Sequence, residues 1–206
     1  MVHKKLLCEK SEVFDKMFNG SFKEATSNTA TLSDDDPEAF EALVEWLYQG
    51  TFTIGDCEDN DIRIAMLHPV VATAVLGLKY SIPELVDRAT TRYVSIAKHL
   101  PDIVAILNAK TVYESTPACS KLRKLLAGSL AYHILKNPAR GERPEFEKRL
   151  VDDLRTTDGL LEDVMPLLRG MAGKFPKDPL LVSSCEYHEH PPAQRCPNKK
   201  RKHSID

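Results

Sequence analysis

The residues of this chain best suited to chemistry lie near its C-terminus: Cys185, His188, His190 and Cys196, in the order Cys-x2-His-x-His-x5-Cys. Two thiolates and two imidazoles make up a donor set that a tetrahedral zinc ion accepts. The spacing matches none of the usual finger patterns, and Pro191, Pro192 and Pro197 surround it with no apolar anchor. Two readings follow, a zinc site or a mobile tail whose cysteines and histidines are incidental and need no cofactor. Beyond it, Lys199, Lys200, Arg201 and Lys202 form a compact basic run, read either as a nuclear localisation signal or as a solubilising end. A single such cluster without interleaved aromatics does not make a specific nucleic-acid reader.

No other set of residues assembles into a catalytic constellation. Asp152 and Asp153 are adjacent, and neighbours on a helix point about 100° apart, so they read as a solvated face rather than as an acid–base pair. Cys119 and His133 fall in one predicted helix about four turns apart, out of reach of each other. The nine glycines are dispersed and form no phosphate-cradling loop. The chain reads as a protein that binds, not as an enzyme.

With 206 residues, 42% hydrophobic and 28% charged at a formal charge of −2, the chain can bury a real core and is no polyanion binder. Its five scattered cysteines, without a secretory h-region, point to a reducing compartment, nucleus or cytoplasm. The longest apolar run, Val70 to Leu78, is shorter than the roughly 18–20 residues of a bilayer span, so no membrane partner is expected.

The elements that must position any site are organised around one helix, Asp36 to Gly50. Asp36 can accept from free amides at its start, Pro37 suits the first helical position, and Gly50 suits a left-handed C-terminal residue. Phe40, Leu43, Val44 and Leu47 share its apolar face. Ser11 predicts the start of a helix through Phe18, and Thr29–Leu32 and Thr51–Ile54 read as short strands. After an acidic loop, helices follow: one broken or begun at His68-Pro69 and running to Tyr80, one opening at Pro83, one from Pro101, one over Ala118–Leu135, then Phe146–Leu154 and Leu160–Met171. From Pro179 onward the prolines and charges predict a tail without a core.

Taken in order, several stretches resemble the BTB/POZ family. They are Val2-His3-Lys4 with Leu6 and Leu7, Ser11-Glu12-Val13-Phe14 leading to Phe18, Phe22 and Glu24, then Leu32, Asp35, Pro37, Phe40, Leu47-Tyr48 and Gly50, and Leu78 to Leu85. Val112 to Pro117 followed by Leu122-Arg123 looks like the helical extension common in fungal members. The resemblance implies an α+β fold: a BTB/POZ-like domain over residues 1–95, mostly helical with a small sheet, a helical extension over 96–178 and a flexible tail over 179–206. Members usually begin with one strand and most of a second before the histidine-lysine pair; here the chain starts at the end of that second strand, which leaves a sheet edge to be covered. His3 takes the place of a buried or half-buried histidine.

What the resemblance implies for function is protein–protein association through self-association or partner docking, with a homodimer and a cullin-type ubiquitin ligase as the candidate assemblies. The residues expected to meet a partner are Trp46, Tyr48, Ile54 and Asp56. Trp46 also has a core reading, with its indole N–H on a carbonyl. Ile54-Gly55-Asp56 has the hydrophobic-x-acid form of a cullin-contacting motif.

Overall fold

The computed structural model of the chain describes residues 2–51, 58–100, 108–136, 144–171, 173, 174, 177–191, 194 and 196. Their elements are α1 (Lys4–Lys10), α2 (Glu12–Asn19), α3 (Lys23–Ser27), α4 (Pro37–Gln49), α5 (Asn60–Lys79), α6 (Pro83–Ala97), α7 (Ala109–Ser115), α8 (Lys121–Lys136), α9 (Pro144–Thr156), α10 (Leu160–Gly170) and a 3₁₀ turn, Ser184–Tyr187. The helix expected from Pro101, through Ile103, Ile106 and Leu107, and the residues Phe52 to Ile54 of the second expected strand lie outside the described residues.

The small sheet is not supported: no strand occurs among the described residues. Thr29–Leu32 runs as irregular chain between α3 and the turn before α4. Its β-branched residues favour extended backbone, but a strand also needs a neighbour to pair its N–H and C=O groups. That neighbour is missing among the described residues.

The start signals act as read. Ser11 Oγ accepts from the Phe14 N–H at 3.2 Å and donates to the Tyr80 carbonyl at 2.6 Å, tying the start of α2 to the end of α5. Asp36 accepts from the Glu38 and Ala39 amides at 2.8 and 3.0 Å, and Gly50 closes α4 at φ 70°. Asp35, one residue earlier, accepts from Lys79 Nζ at 2.7 Å and from the Tyr80 hydroxyl at 2.5 Å. Burial, then the Asp35 hydrogen bond and charge, push the Tyr80 phenol well above its usual range.

Two expectations shift. The buried face of α4 is Ala39, Leu43 and Trp46, with Phe40, Val44 and Leu47 half-covered. The small Ala39 suits close packing against α5, and the helix is rotated accordingly. Pro69 stands inside α5 instead of starting it. The intrahelical bond that proline gives up is offset by burial, since Leu67, Val70, Val71, Ala74 and Leu76 are all enclosed. Read whole, α5 is long and apolar enough to cross a membrane, which the run from Val70 did not suggest; here it is the core helix, packed between α4 and α6. Gly77 permits that packing: a Cβ there would fall 2.8 Å from Val86 Cγ2 and 3.2 Å from the Val86 amide nitrogen.

Two cores are built on α5 and α6. The first takes Leu7, Phe14, Ala39, Leu43 and Trp46 onto Leu76, Tyr80, Ile82 and Leu85. The second takes Val112, Tyr113, Leu122, Leu125, Leu126 and Leu160 onto Leu67, Val71, Tyr93 and Val94. The motif Val112–Pro117 with Arg123 is a clamp in the second. The Arg123 guanidinium donates to the Tyr113 carbonyl at 2.6 Å, to the Thr116 carbonyl and to Thr116 Oγ1 at 3.1 Å. It also lies over the Tyr113 ring at 4.6 Å, while the Tyr113 hydroxyl donates to Asp163 of α10 at 2.8 Å.

Candidate functional site

The segment expected to be a flexible tail is, over its described residues, packed on the helices. Leu180 and Tyr187 belong to the second core, and His188 is fully buried. Residues of α6 and α8 hold it there. Asp87 of α6 accepts from the Glu189 amide at 2.5 Å, Lys121 of α8 donates through Nζ to the His188 carbonyl, and the Lys121 amide donates to Glu189 Oε1 at 3.4 Å. Asp87 is itself enclosed, and burial raises its carboxyl above the usual range against the opposing Glu189 amide.

This packing brings the four residues picked out by spacing into one cluster: one ligand atom from each of Cys185, His188, His190 and Cys196 lies within 4.8 Å of every other. Cys185 sits in the 3₁₀ turn, whose start is capped by Ser183. His188 follows it in extended backbone. His188 Nδ1 is 3.3 Å from His190 Nε2 and 3.4 Å from Cys196 Sγ. Burial, with the charges of His190 and Lys121 adding to it, holds His188 down at about 4, so its ring is neutral near pH 7.

Sequence reasoning missed the residues that orient this cluster. Thr91 Oγ1 lies 2.8 Å from His188 Nε2, and the Pro191 carbonyl lies 3.1 Å from His190 Nδ1. No local pattern could have disclosed Thr91 or Asp87, which are far from the cluster in sequence and reach it only because α6 runs beneath it. The cluster also flanks a cleft of about 420 Å³ whose walls include Lys10, Trp46, Ile82, Glu84, His190 and Pro191.

The residues expected to meet a partner separate. Trp46 is 2% exposed and belongs to the first core, which corrects its assignment as a contact residue. Its ring is approached by Lys10 Nζ at 5.2 Å, and its indole N–H finds no carbonyl among the described residues. Tyr48 is 48% exposed, and its hydroxyl meets His3 at Nδ1 (2.5 Å) and at the backbone N–H (3.1 Å). His3 is therefore exposed and paired to Tyr48, not buried. Helix α1 starts immediately after His3, which keeps its ring at the rim of the core. Ile54, Asp56 and Lys199, Lys200, Arg201 and Lys202 lie outside the described residues.

Residues 1–92, which hold α1 to α5 and most of α6, match the model of the BTB/POZ domain. Over those residues the chain carries a BTB/POZ domain, a protein–protein interaction module that is not typically enzymatic. Comparison with curated proteins and with solved structures gave no match.

Proposed function

We infer that the chain acts by self-association, a second copy docking on the flank of the BTB/POZ domain formed by α1 to α4. The observation that carries this reading is the uneven cover of the first core. Val2, Phe18, Leu32, Phe40 and Leu47 pack against it only partly buried, and Phe22 and Tyr48 stand 59% and 48% exposed. Apolar and aromatic surface of this kind is characteristic of the centre of an interface. BTB domains mediate partner binding and dimerisation, and a formal charge of only −2 puts little repulsion between two copies.

Light scattering on size-exclusion tests it. A mass twice the 23.1 kDa of one chain, reduced toward one chain by Phe22→Ser with Tyr48→Ala, is the expected result. A monomer at high micromolar concentration overturns it. The alternative, a substrate adaptor for a cullin-type ligase, draws support from Ile54-Gly55-Asp56. Co-elution with a cullin N-terminal region, abolished by Ile54→Ala with Asp56→Ala, would establish that assembly instead. A nuclear regulatory role is supported by Lys199 to Lys202, and a tagged chain with all four changed to alanine should then lose nuclear accumulation. The helices beyond residue 95, with the Arg123 clamp, fit the helical extension of fungal members.

A further inference from the structure

The Cys/His cluster sits against α6 and α8, away from the exposed Phe22 and Tyr48, and its own geometry suits a metal ion. Thr91 Oγ1 donates to the Asp87 carbonyl at 2.9 Å, so toward His188 it accepts, and the proton of that ring sits on Nε2. The Pro191 carbonyl can only accept, so the proton of His190 sits on Nδ1. With His190 neutral, both rings turn an unprotonated nitrogen, His188 Nδ1 and His190 Nε2, toward each other at 3.3 Å, with the Cys196 sulfur 3.4 Å from the first. Two facing lone pairs at that distance repel, and a metal cation between them turns the repulsion into coordination.

The dimensions fit one cation in particular. With Zn–N of about 2.0–2.1 Å and Zn–S of about 2.3 Å, the edges of a tetrahedral zinc site run from about 3.3 to 3.8 Å. The nitrogen–nitrogen and sulfur–nitrogen separations fall in that range, and Cys185 completes the set within 4.8 Å. Each histidine also has its second nitrogen held by an oxygen, the outer-shell arrangement that orients ligands at metal sites.

We propose that Cys185, His188, His190 and Cys196 bind one zinc ion in a closed tetrahedral site that fastens the 3₁₀ turn and the residues following it, 184–191, onto α6 and α8. Four protein ligands leave no open position, so the site is structural. It staples the C-terminal segment to the last helix touched by the BTB/POZ match and fixes the His190–Pro191 wall of the cleft beside Trp46.

The test uses the full chain, purified under reducing conditions from zinc-supplemented cells and dialysed against metal-free buffer. Metal analysis and native mass spectrometry should find one zinc per chain, retained in the control Cys119→Ser, whose thiol is exposed and outside the cluster. Cobalt substitution should give intense tetrahedral visible bands and a thiolate charge-transfer band. Cys185→Ser, at a partly exposed position, should lose that band in part and hold zinc at least tenfold more weakly. Thr91→Val, which keeps all four ligands, should weaken binding about 10–100-fold. Wild-type chain without zinc, a Cys185–Cys196 disulfide, or undiminished zinc in a Cys185→Ser, Cys196→Ser double variant would each overturn the proposal. None of these readouts depends on whether the chain self-associates.

Discussion

The α1–α4 flank and the α7–α10 lobe share α5 and α6, yet they cover their apolar side chains differently. Among the described residues the first core has nine buried hydrophobics and eight only partly buried, whereas the second has twenty-three buried and nine partly buried. Roughly half of the first core's apolar residues therefore keep a side toward solvent, against fewer than a third of the second's. The second lobe is closed further by the Arg123 clamp and by Leu180, Tyr187 and His188 of the C-terminal segment. The second lobe does expose aliphatic side chains, Leu135, Val151, Leu161, Met165 and Leu181, whereas the flank exposes the aromatics Phe22 and Tyr48 beside a half-covered core.

The strongest test of that contrast lies in the enclosed lobe. Leu125→Ala, at a fully buried position, should cost about 2–5 kcal/mol and lower Tm by about 5–15 °C. Trp46 is the single tryptophan and reports the first core, while far-UV circular dichroism reports every helix. Because α5 and α6 serve both cores, the two signals should fall together in urea, and separated midpoints would show that the lobes unfold independently.

Arg123→Ala should cost about 2–3 kcal/mol by leaving the Tyr113 and Thr116 carbonyls without their charged donor. Arg123→Lys should recover less than half of that, since an ammonium cannot reproduce the fork. Thermal denaturation of the two variants side by side decides whether the clamp acts through its geometry or merely its charge.

On the flank, Asp36→Ala should cost about 1 kcal/mol through loss of the α4 cap, and Asp36→Asn only a fraction of that. The smallest effect on folding, within about 0.5 kcal/mol, is expected of Tyr48→Ala with Phe22→Ser, because both side chains are exposed. The same pair should weaken self-association at least tenfold, read as the shift of the dimer–monomer midpoint on dilution. A large loss of stability with unchanged association would reverse the roles assigned to the two regions.

Much of the scaffold was legible because its signals are local. Ser11, Asp36, Pro37, Pro83 and Gly50 each act within a turn of their own position, and each stands at a helix boundary. Where a signal depended on a distant partner, reading it locally failed. Thr29–Leu32 has strand-forming residues and no strand to pair with, Pro69 has a breaker's chemistry inside a helix that burial holds together, and α4 turned by part of a face to seat Ala39 and Trp46. Trp46 shows the point most simply: one position on a helix separates a contact residue from a core residue, and only the packing partner decides.

The sequence by itself determined the donor set and its spacing, the helix boundaries and the family of the first 92 residues, because each is written in nearby residues or in an ordered set of them. Tertiary structure alone decided that the Cys/His segment lies folded against the protein. Its anchors, Asp87, Thr91 and Lys121, are about one hundred residues or fewer before it in the chain, yet within hydrogen-bond reach in space. Proline-rich chain with few apolar residues cannot bury itself. It becomes ordered only where a helix built elsewhere supplies an acid for its amide and a hydroxyl for its imidazole.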